Sequence, residues 1–238
     1  MRTALSSELI KITSTRTFYG LLAGAVAVVA LTTWSAIANI GAANIDGHLT
    51  DHQMFYLSAI NLSVFAVIIG IRATTDEFRH GTVVPAVLID APRRRFITAK
   101  ATVAATAAAL IAATAQLVMA AIATTLTSGS LIIDASDLRA MAGLTAALAI
   151  WAAIGVGAGA VIRHQVAAIV GAIVWVLIIE NLGAGLLGDA GRYLPGSAAH
   201  ALAALPDQLS VPTAAAVLTT YAAAALTAGH LSNTRRDL

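Results

Sequence analysis

Six long apolar stretches divide this chain, and the basic residues between them alternate sides. Twelve of its fourteen Lys and Arg residues lie before the first stretch, after the last, in the second and fourth gaps or, for Lys100, in the first turn of the stretch that follows the second gap. A helix needs roughly 20 apolar residues to cross about 30 Å of hydrocarbon. The stretches are therefore read as membrane spans at 18–38, 54–71, 97–126, 140–161, 167–187 and 212–229. Arg2, Lys11 and Arg16 precede the first span; Arg72, Arg79, Arg93, Arg94, Arg95 and Lys100 form the densest basic group; Arg163 lies in the fourth gap, and Arg235 and Arg236 follow the last span. The remaining gaps carry Asp46 and Asp51, then Asp134 and Asp137 with Arg139, then Asp189 and Asp207 with Arg192. Cytoplasmic loops near span ends hold the Lys/Arg excess. Both termini and the second and fourth gaps are expected on the cytosolic side, which an even number of spans permits.

Composition excludes most other classes. With 58% hydrophobic and 11% charged residues and a mean hydropathy of +0.83, the chain is no ordinary water-soluble globule. The stretches are apolar all round rather than alternating, so helices are expected and a β-barrel is not. The fold class expected is all-α, a single polytopic membrane domain over 1–238. The first span has a long polar lead-in and lacks a small-residue cleavage pattern after Ala38, so it is expected to be retained. Zero cysteines exclude disulfides, thiolate metal sites and cysteine catalysis. The net charge of +2 and pI near 9.3 do not imply nucleic acid, because the basic residues are spread over loops as topology demands.

Within 1–17, Leu5, Leu9, Ile12 and Phe18 recur at roughly helical spacing, which predicts a helix lying in the membrane interface. Gly20 with Gly24, and Gly155, Gly157 and Gly159, are small-residue sets that let helices approach closely. Thr98, Thr102, Thr106 and Thr114 share one face of the third span. Their hydroxyls either line a wet passage or bond back to carbonyls of the preceding turn. That span exceeds what the bilayer needs, and its first turns are expected to project into the cytosol.

Two segments between spans carry most of the information. In 72–96, Thr75 is a candidate cap for a short helix with Asp76 and Glu77 in its first turn, and Pro92 punctuates the return to the membrane. This makes a compact charged hairpin tethered to two spans. In 188–211, Leu194, Ala198, Ala199, Leu202, Ala203 and Leu205 are too apolar for a free linker, so a re-entrant or interfacial helical pair is expected on the outer side. Ser210 and Pro212 suit a cap and first-turn proline for the last span.

The run Glu77-Phe78-Arg79-His80-Gly81-Thr82, followed by Pro92-Arg93-Arg94-Arg95 and Lys100, resembles the cytosolic coupling segment of the type 2 ABC exporter permeases. The amphipathic lead-in, the six spans and Arg192-Tyr193-Leu194-Pro195-Gly196 with the apolar run to Leu205 are similar to that family as well. The resemblance implies a permease that pairs with a second permease, identical or a sister chain, and with a dimer of ABC ATPase subunits. It implies that Asp76, Glu77, Phe78, Arg79, His80, Gly81 and Thr82 form the ATPase-coupling contact. It also implies that spans two and five line the translocation path, nominating Asn61 and Phe65 on one and Trp175, Ile178 and Glu180 on the other. The chain has no G-x-x-x-x-G-K-[ST] phosphate loop, so it holds no cofactor itself, and ATP and magnesium would sit in the partner ATPase.

Glu180 carries a charge into a membrane span, which costs about 2.5 to 3.5 kcal/mol on insertion scales unless protein, water or a partner receives it. Two readings stand: a functional group that attracts a cationic substrate or relays a proton, and a structural pairing with polar groups at span ends. His48 and His52, with Asp46 and Asp51, have spacing that permits zinc or copper, but Gly47 weakens the helix required, and no metal site is expected. His164 reads as part of a solvated turn and His230 as a helix end, while His80 reads as a docking residue. The expected function is outward movement of an apolar or amphiphilic molecule (drug, antibiotic or lipid-like) across a bacterial plasma membrane, as in multidrug efflux and antibiotic resistance. High Ala and Arg over Lys suit a bacterial source. The rival readings are an ion- or proton-coupled secondary transporter, for which only Glu180 qualifies, and a noncatalytic membrane scaffold. No catalytic motif supports an enzyme.

Overall fold

The computed structural model describes residues 15–43, 60–80, 93–126, 134–203 and 209–235, and these are helical or turn between helices, with no strand among them. We number the helices α1 (Arg16–Ala43), α2 (Ser63–His80, entered through a 3-10 turn at Ile60–Leu62), α3 (Arg93–Leu126), α4 (Ala135–Ile162), α5 (Gln165–Leu186), α6 (Pro195–Leu202, entered through a 3-10 turn at Gly188–Tyr193) and α7 (Val211–Arg235). Five of them, α1, α3, α4, α5 and α7, are long and apolar enough to cross a membrane. The described residues form an all-α fold, and these five apolar helices suit a membrane protein.

The second expected span, 54–71, falls partly outside the described residues. What is described is α2, which continues past Ile71 through Arg72, Asp76, Glu77 and Arg79. Thr75 therefore caps no new helix: its hydroxyl donates to the Ile71 carbonyl at 2.9 Å, one turn back in the same helix. The start of the expected hairpin is an extension of α2, because Arg72 and Asp76, four apart, pair along it at 2.8 Å. The interfacial helix expected over 1–17, apart from residues 15–17, the pair His48 and His52, and Gly81, Thr82 and Pro92 lie outside the described residues.

α4 is the centre of the bundle. It packs against α2, α3 and α7, and more lightly against α5 and α6. Half of its most apolar window is buried, against 11% for α5. Apolar side chains gain little by leaving lipid for protein, so close backbone packing must hold such helices together. Gly155 and Gly159 of α4 face the backbone of α2, while Gly157 faces Ala225 of α7. Of the other expected pair, Gly24 abuts the Phe65 ring of α2 and Gly20 meets nothing. Trp151 of α4 is buried in the core, 2% exposed.

Helix ends are set by local chemistry. Asp134 precedes α4 and accepts from the backbone N–H of Ser136 at 2.7 Å and of Asp137 at 3.0 Å, while Asp137 accepts from the Asp134 N–H at 3.0 Å. This reciprocal capping box satisfies donors that the first turn leaves unpaired. Asp134→Ala is expected to cost about 1 kcal/mol, read as a lowered unfolding midpoint in detergent. At the other end of α4, Arg163 takes the left-handed conformation (φ 58°), and His164, expected as a plain turn residue, caps α5 by accepting from Ala167 N–H at 3.2 Å. Ser210 directly precedes α7, its hydroxyl 2.7 Å from that of Thr213, with Pro212 in the first turn.

α7 outruns the expected end at Gly229 and His230 and reaches Arg235. The Arg163 guanidinium donates to the Ser232 carbonyl at 3.0 Å and to Asn233 Oδ1 at 2.9 Å, which fastens these extra turns to the end of α4. The α3 threonines resolve their two readings: Thr102, Thr106 and Thr114 donate to the carbonyls of Thr98, Thr102 and Leu110 at 2.8–2.9 Å. Their hydroxyls are satisfied within the helix.

Candidate functional site

Among the described residues, polar side chains gather around Lys100 at one end of the bundle and around Glu180 toward the other. The first constellation lies where α2 ends, α3 begins and α5 begins. Lys100 reaches from α3 to Glu77 of α2, Nζ to Oε1 at 2.8 Å, and donates also to the Ala73 carbonyl at 2.8 Å. Both side chains are buried, Lys100 being 1% exposed and Glu77 8%. Beside them Asp76 accepts from Arg72 at 2.8 Å and from Gln165 Nε2 of α5 at 2.9 Å. Thr74 donates to the Val156 carbonyl of α4 at 3.1 Å. One helix end is thus tied to three neighbours within five residues, by the Ala73 carbonyl and the side chains of Thr74, Asp76 and Glu77.

This places the residues expected to contact an ATPase. Asp76 and Glu77 are engaged inside the protein, with Asp76 half-buried and Glu77 buried. Phe78, Arg79 and His80 occupy the last turn of α2, directly beyond the braced residues. The brace leaves Glu77 to position the segment, since a side chain 8% exposed offers a partner little surface.

The second constellation surrounds Glu180. Its Oε1 accepts from the Trp175 indole N–H at 2.8 Å and its Oε2 from the Gly196 backbone N–H at 2.9 Å. An α-helix does not bring residues five apart onto one face, but Trp175–Ile179 forms a π-helical turn in which the Glu180 N–H bonds to the Trp175 carbonyl. The wider turn carries Glu180 round to the indole. Gly196 lies in the first turn of α6, whose cap residue Leu194 makes no side-chain cap bond. The carboxylate supplies from a distance what a capping side chain would, at a helix end whose dipole favours negative charge. A Cβ at Gly196 would lie 2.7 Å from Oε2, so a larger residue there would displace the carboxylate from this seat. Of the two readings of Glu180, this geometry supports the structural pairing.

The remaining residues expected along a path lie on α5, on α2 and in the 3-10 turn before α2. Trp175 is 38% exposed and Ile178 51%, both on the poorly packed side of α5. Asn61 is exposed in the 3-10 turn before α2, and the half-buried Phe65 ring lies against Gly24 of α1. Among the described residues no group of three or more His, Asp or Glu side chains suits a metal ion.

Sequence reasoning missed Lys100 as the partner of Glu77, although a lysine inside an apolar stretch, opposite a carboxylate at the end of the previous one, is a readable signal. It also missed Gln116, 1% exposed in α3, whose Nε2 donates to Thr145 Oγ1 of α4 at 2.8 Å. A lone amide in a span calls for an interhelical partner. The π-turn left no such mark. A scan against protein-family models finds no match to this chain, and a search of curated proteins finds none either.

Proposed function

We propose that this chain is the membrane-spanning permease subunit of an ATP-driven exporter, powered by a separate ATPase dimer that carries ATP and magnesium. The observation that carries this reading is the brace at the end of α2. The segment from Thr74 to His80 is joined through the Glu77–Lys100 pair to α3, through Asp76 and Gln165 to α5 and through Thr74 itself to α4. A load applied to the last turn of α2 would therefore move helices on both sides of the bundle. The resemblance of 77–82 to an ABC coupling segment supplies the partner, and a second permease, identical or a sister chain, completes the assembly.

In this reading the basic end, with both termini, faces the cytosol of a bacterium, and Phe78, Arg79, His80, Gly81 and Thr82 meet the ATPase. The cargo is apolar or amphiphilic, because the spans offer few fixed charges to hold a polar solute. Differential contacts of the ATPase in its nucleotide-bound and free states would drive the change of shape.

The test is co-purification in nanodiscs with candidate ABC ATPases. Glu77 is the wrong probe, since removing it breaks the buried pair with Lys100 and disturbs the fold as well as the contact. Arg79→Glu with His80→Ala lies beyond the brace and is expected to weaken ATPase retention at least tenfold, the ~1.4 kcal/mol or more of a contact that matters. Retention indifferent to these substitutions, or no ATPase retained by the native chain, sinks the proposal.

A further inference from the structure

α5 is anchored unequally along its length. Its first part, Gln165–Val174, packs on α2 and α4, and Gln165 bonds to Asp76. Each part buries one residue, Ala168 in the first and Glu180 in the second, and the difference lies in what the parts pack on: the first on α2 and α4, the second chiefly on the short segment that follows it. Leu177, Ile178, Ile179, Leu182 and Leu186 are all exposed. The π-turn Trp175–Ile179 lies between the anchored part and the part held through Glu180.

What Glu180 grips is itself fixed. α6 buries Ala198, Ala199, Ala201 and Leu202 and packs on α4 and α7. The bond from Gly196 N–H to Glu180 Oε2 therefore ties the far part of α5 to the body of the bundle. A helix bends where a π-turn interrupts its bonding ladder. Within hydrocarbon, moving the exposed leucine and isoleucine side chains from one apolar surrounding to another costs little. The polar bond to α6 is the directional restraint on such a movement, acting alongside the apolar packing of Leu194 against Gly183, of Gly191 against Ala184 and of Val176 against the core.

We propose that Trp175–Ile179 is a hinge and Glu180 its catch: with the carboxylate seated on the first turn of α6 the far part of α5 is closed against the bundle, and with the carboxylate released it swings outward. The Trp175 indole, at the start of the hinge, aims the carboxylate at α6. Gly196 keeps the seat open. The device operates within one chain and requires no ATPase, so its failure in the following test and the failure of the exporter reading are separate results.

The chain contains no cysteine, so spin-label pairs can be installed without removing native thiols. One pair, Leu182→Cys with Leu138→Cys, spans the far part of α5 and the start of α4; the other, Val166→Cys with Leu231→Cys, spans the anchored part and α7, and all four positions are at least 45% exposed. Distances are read by double electron–electron resonance in nanodiscs, with the labelled chain diluted in unlabelled chain. Glu180→Gln replaces one acceptor oxygen with a donor. Gly196→Ala instead fills the seat while leaving the carboxylate intact, so the two variants fail to fold for different reasons if either does. The native chain is expected to show one narrow distance for each pair. In either variant the Leu182–Leu138 distance is expected to lengthen and broaden while the Val166–Leu231 distance stays narrow. An unchanged Leu182–Leu138 distance in both variants overturns the proposal, as does equal broadening of both pairs, which would mean general loosening rather than a hinge.

Discussion

Lys100→Met is expected to destabilise the protein by about 3–5 kcal/mol, the cost of breaking a buried ion pair by removing one member. The substitution keeps most of the side chain's length and apolar stem but removes the charge that faces Glu77 at 2.8 Å and the donor to the Ala73 carbonyl. Glu77 is then left with its carboxylate in a place 8% exposed to solvent. The decisive comparison is the double variant Glu77→Gln with Lys100→Met. Neutralising both members removes the desolvation cost together with the attraction, so most of the lost stability should return. Reversible unfolding in mixed micelles measures the cycle. If the double variant is as unstable as the sum of the single ones, the two side chains do not act as a pair. In the exporter reading the same double variant has a second use: it would fold yet transmit poorly, because α2 and α3 would no longer be joined beneath the coupling segment.

The helices were legible because each apolar run is long, and runs of that length admit few alternatives. Where sequence and structure part, the deciding interaction is tertiary. Thr75 followed by two acidic residues looks like a helix start. The same threonine bonds back to Ile71 once α3, α4 and α5 hold the next turns in helical geometry. His230 follows a glycine and looks like an end, yet Arg163, 69 residues before Ser232, carries α7 onward. Glu180 was legible as a charge needing a partner, but its partners were not. Trp175 is five residues away, a spacing that pairs nothing on an α-helix, and Gly196 offers only a backbone N–H. No reading of side-chain periodicity finds a π-turn or a backbone donor. The sequence resemblance reached 76–82 as a candidate contact, but only the structure separates Asp76 and Glu77, engaged inward, from the turn that follows.

The contact between α2 and α4 gives the second large effect, because it sets the same substitution against itself at two places. Glycine inside a helix costs about 1 kcal/mol relative to alanine, so Gly→Ala ordinarily stabilises. At Gly20, where a Cβ would meet nothing within 4 Å, that gain is expected in full or in part. At Gly70 a Cβ would run into the Ala152 carbonyl and come within 2.8 Å of the Val156 nitrogen; at Gly155 it would run into the Val67 carbonyl. These obstacles are backbone atoms of a packed helix, so no side-chain rotation relieves them and the two helices must move apart. Separation also breaks the bond from Thr74 to the Val156 carbonyl, and with it one leg of the brace at the end of α2. Overpacking of this kind costs about 1–3 kcal/mol and at times more, enough to reverse the propensity gain. Gly70→Ala and Gly155→Ala are therefore expected to lower the unfolding midpoint in detergent, and Gly70→Leu to abolish recovery of monodisperse protein, while Gly20→Ala holds or raises the midpoint. If Gly70→Ala raised the midpoint as Gly20→Ala does, the helices would not meet backbone to backbone, and the central place of α4 in this bundle would have to be given up.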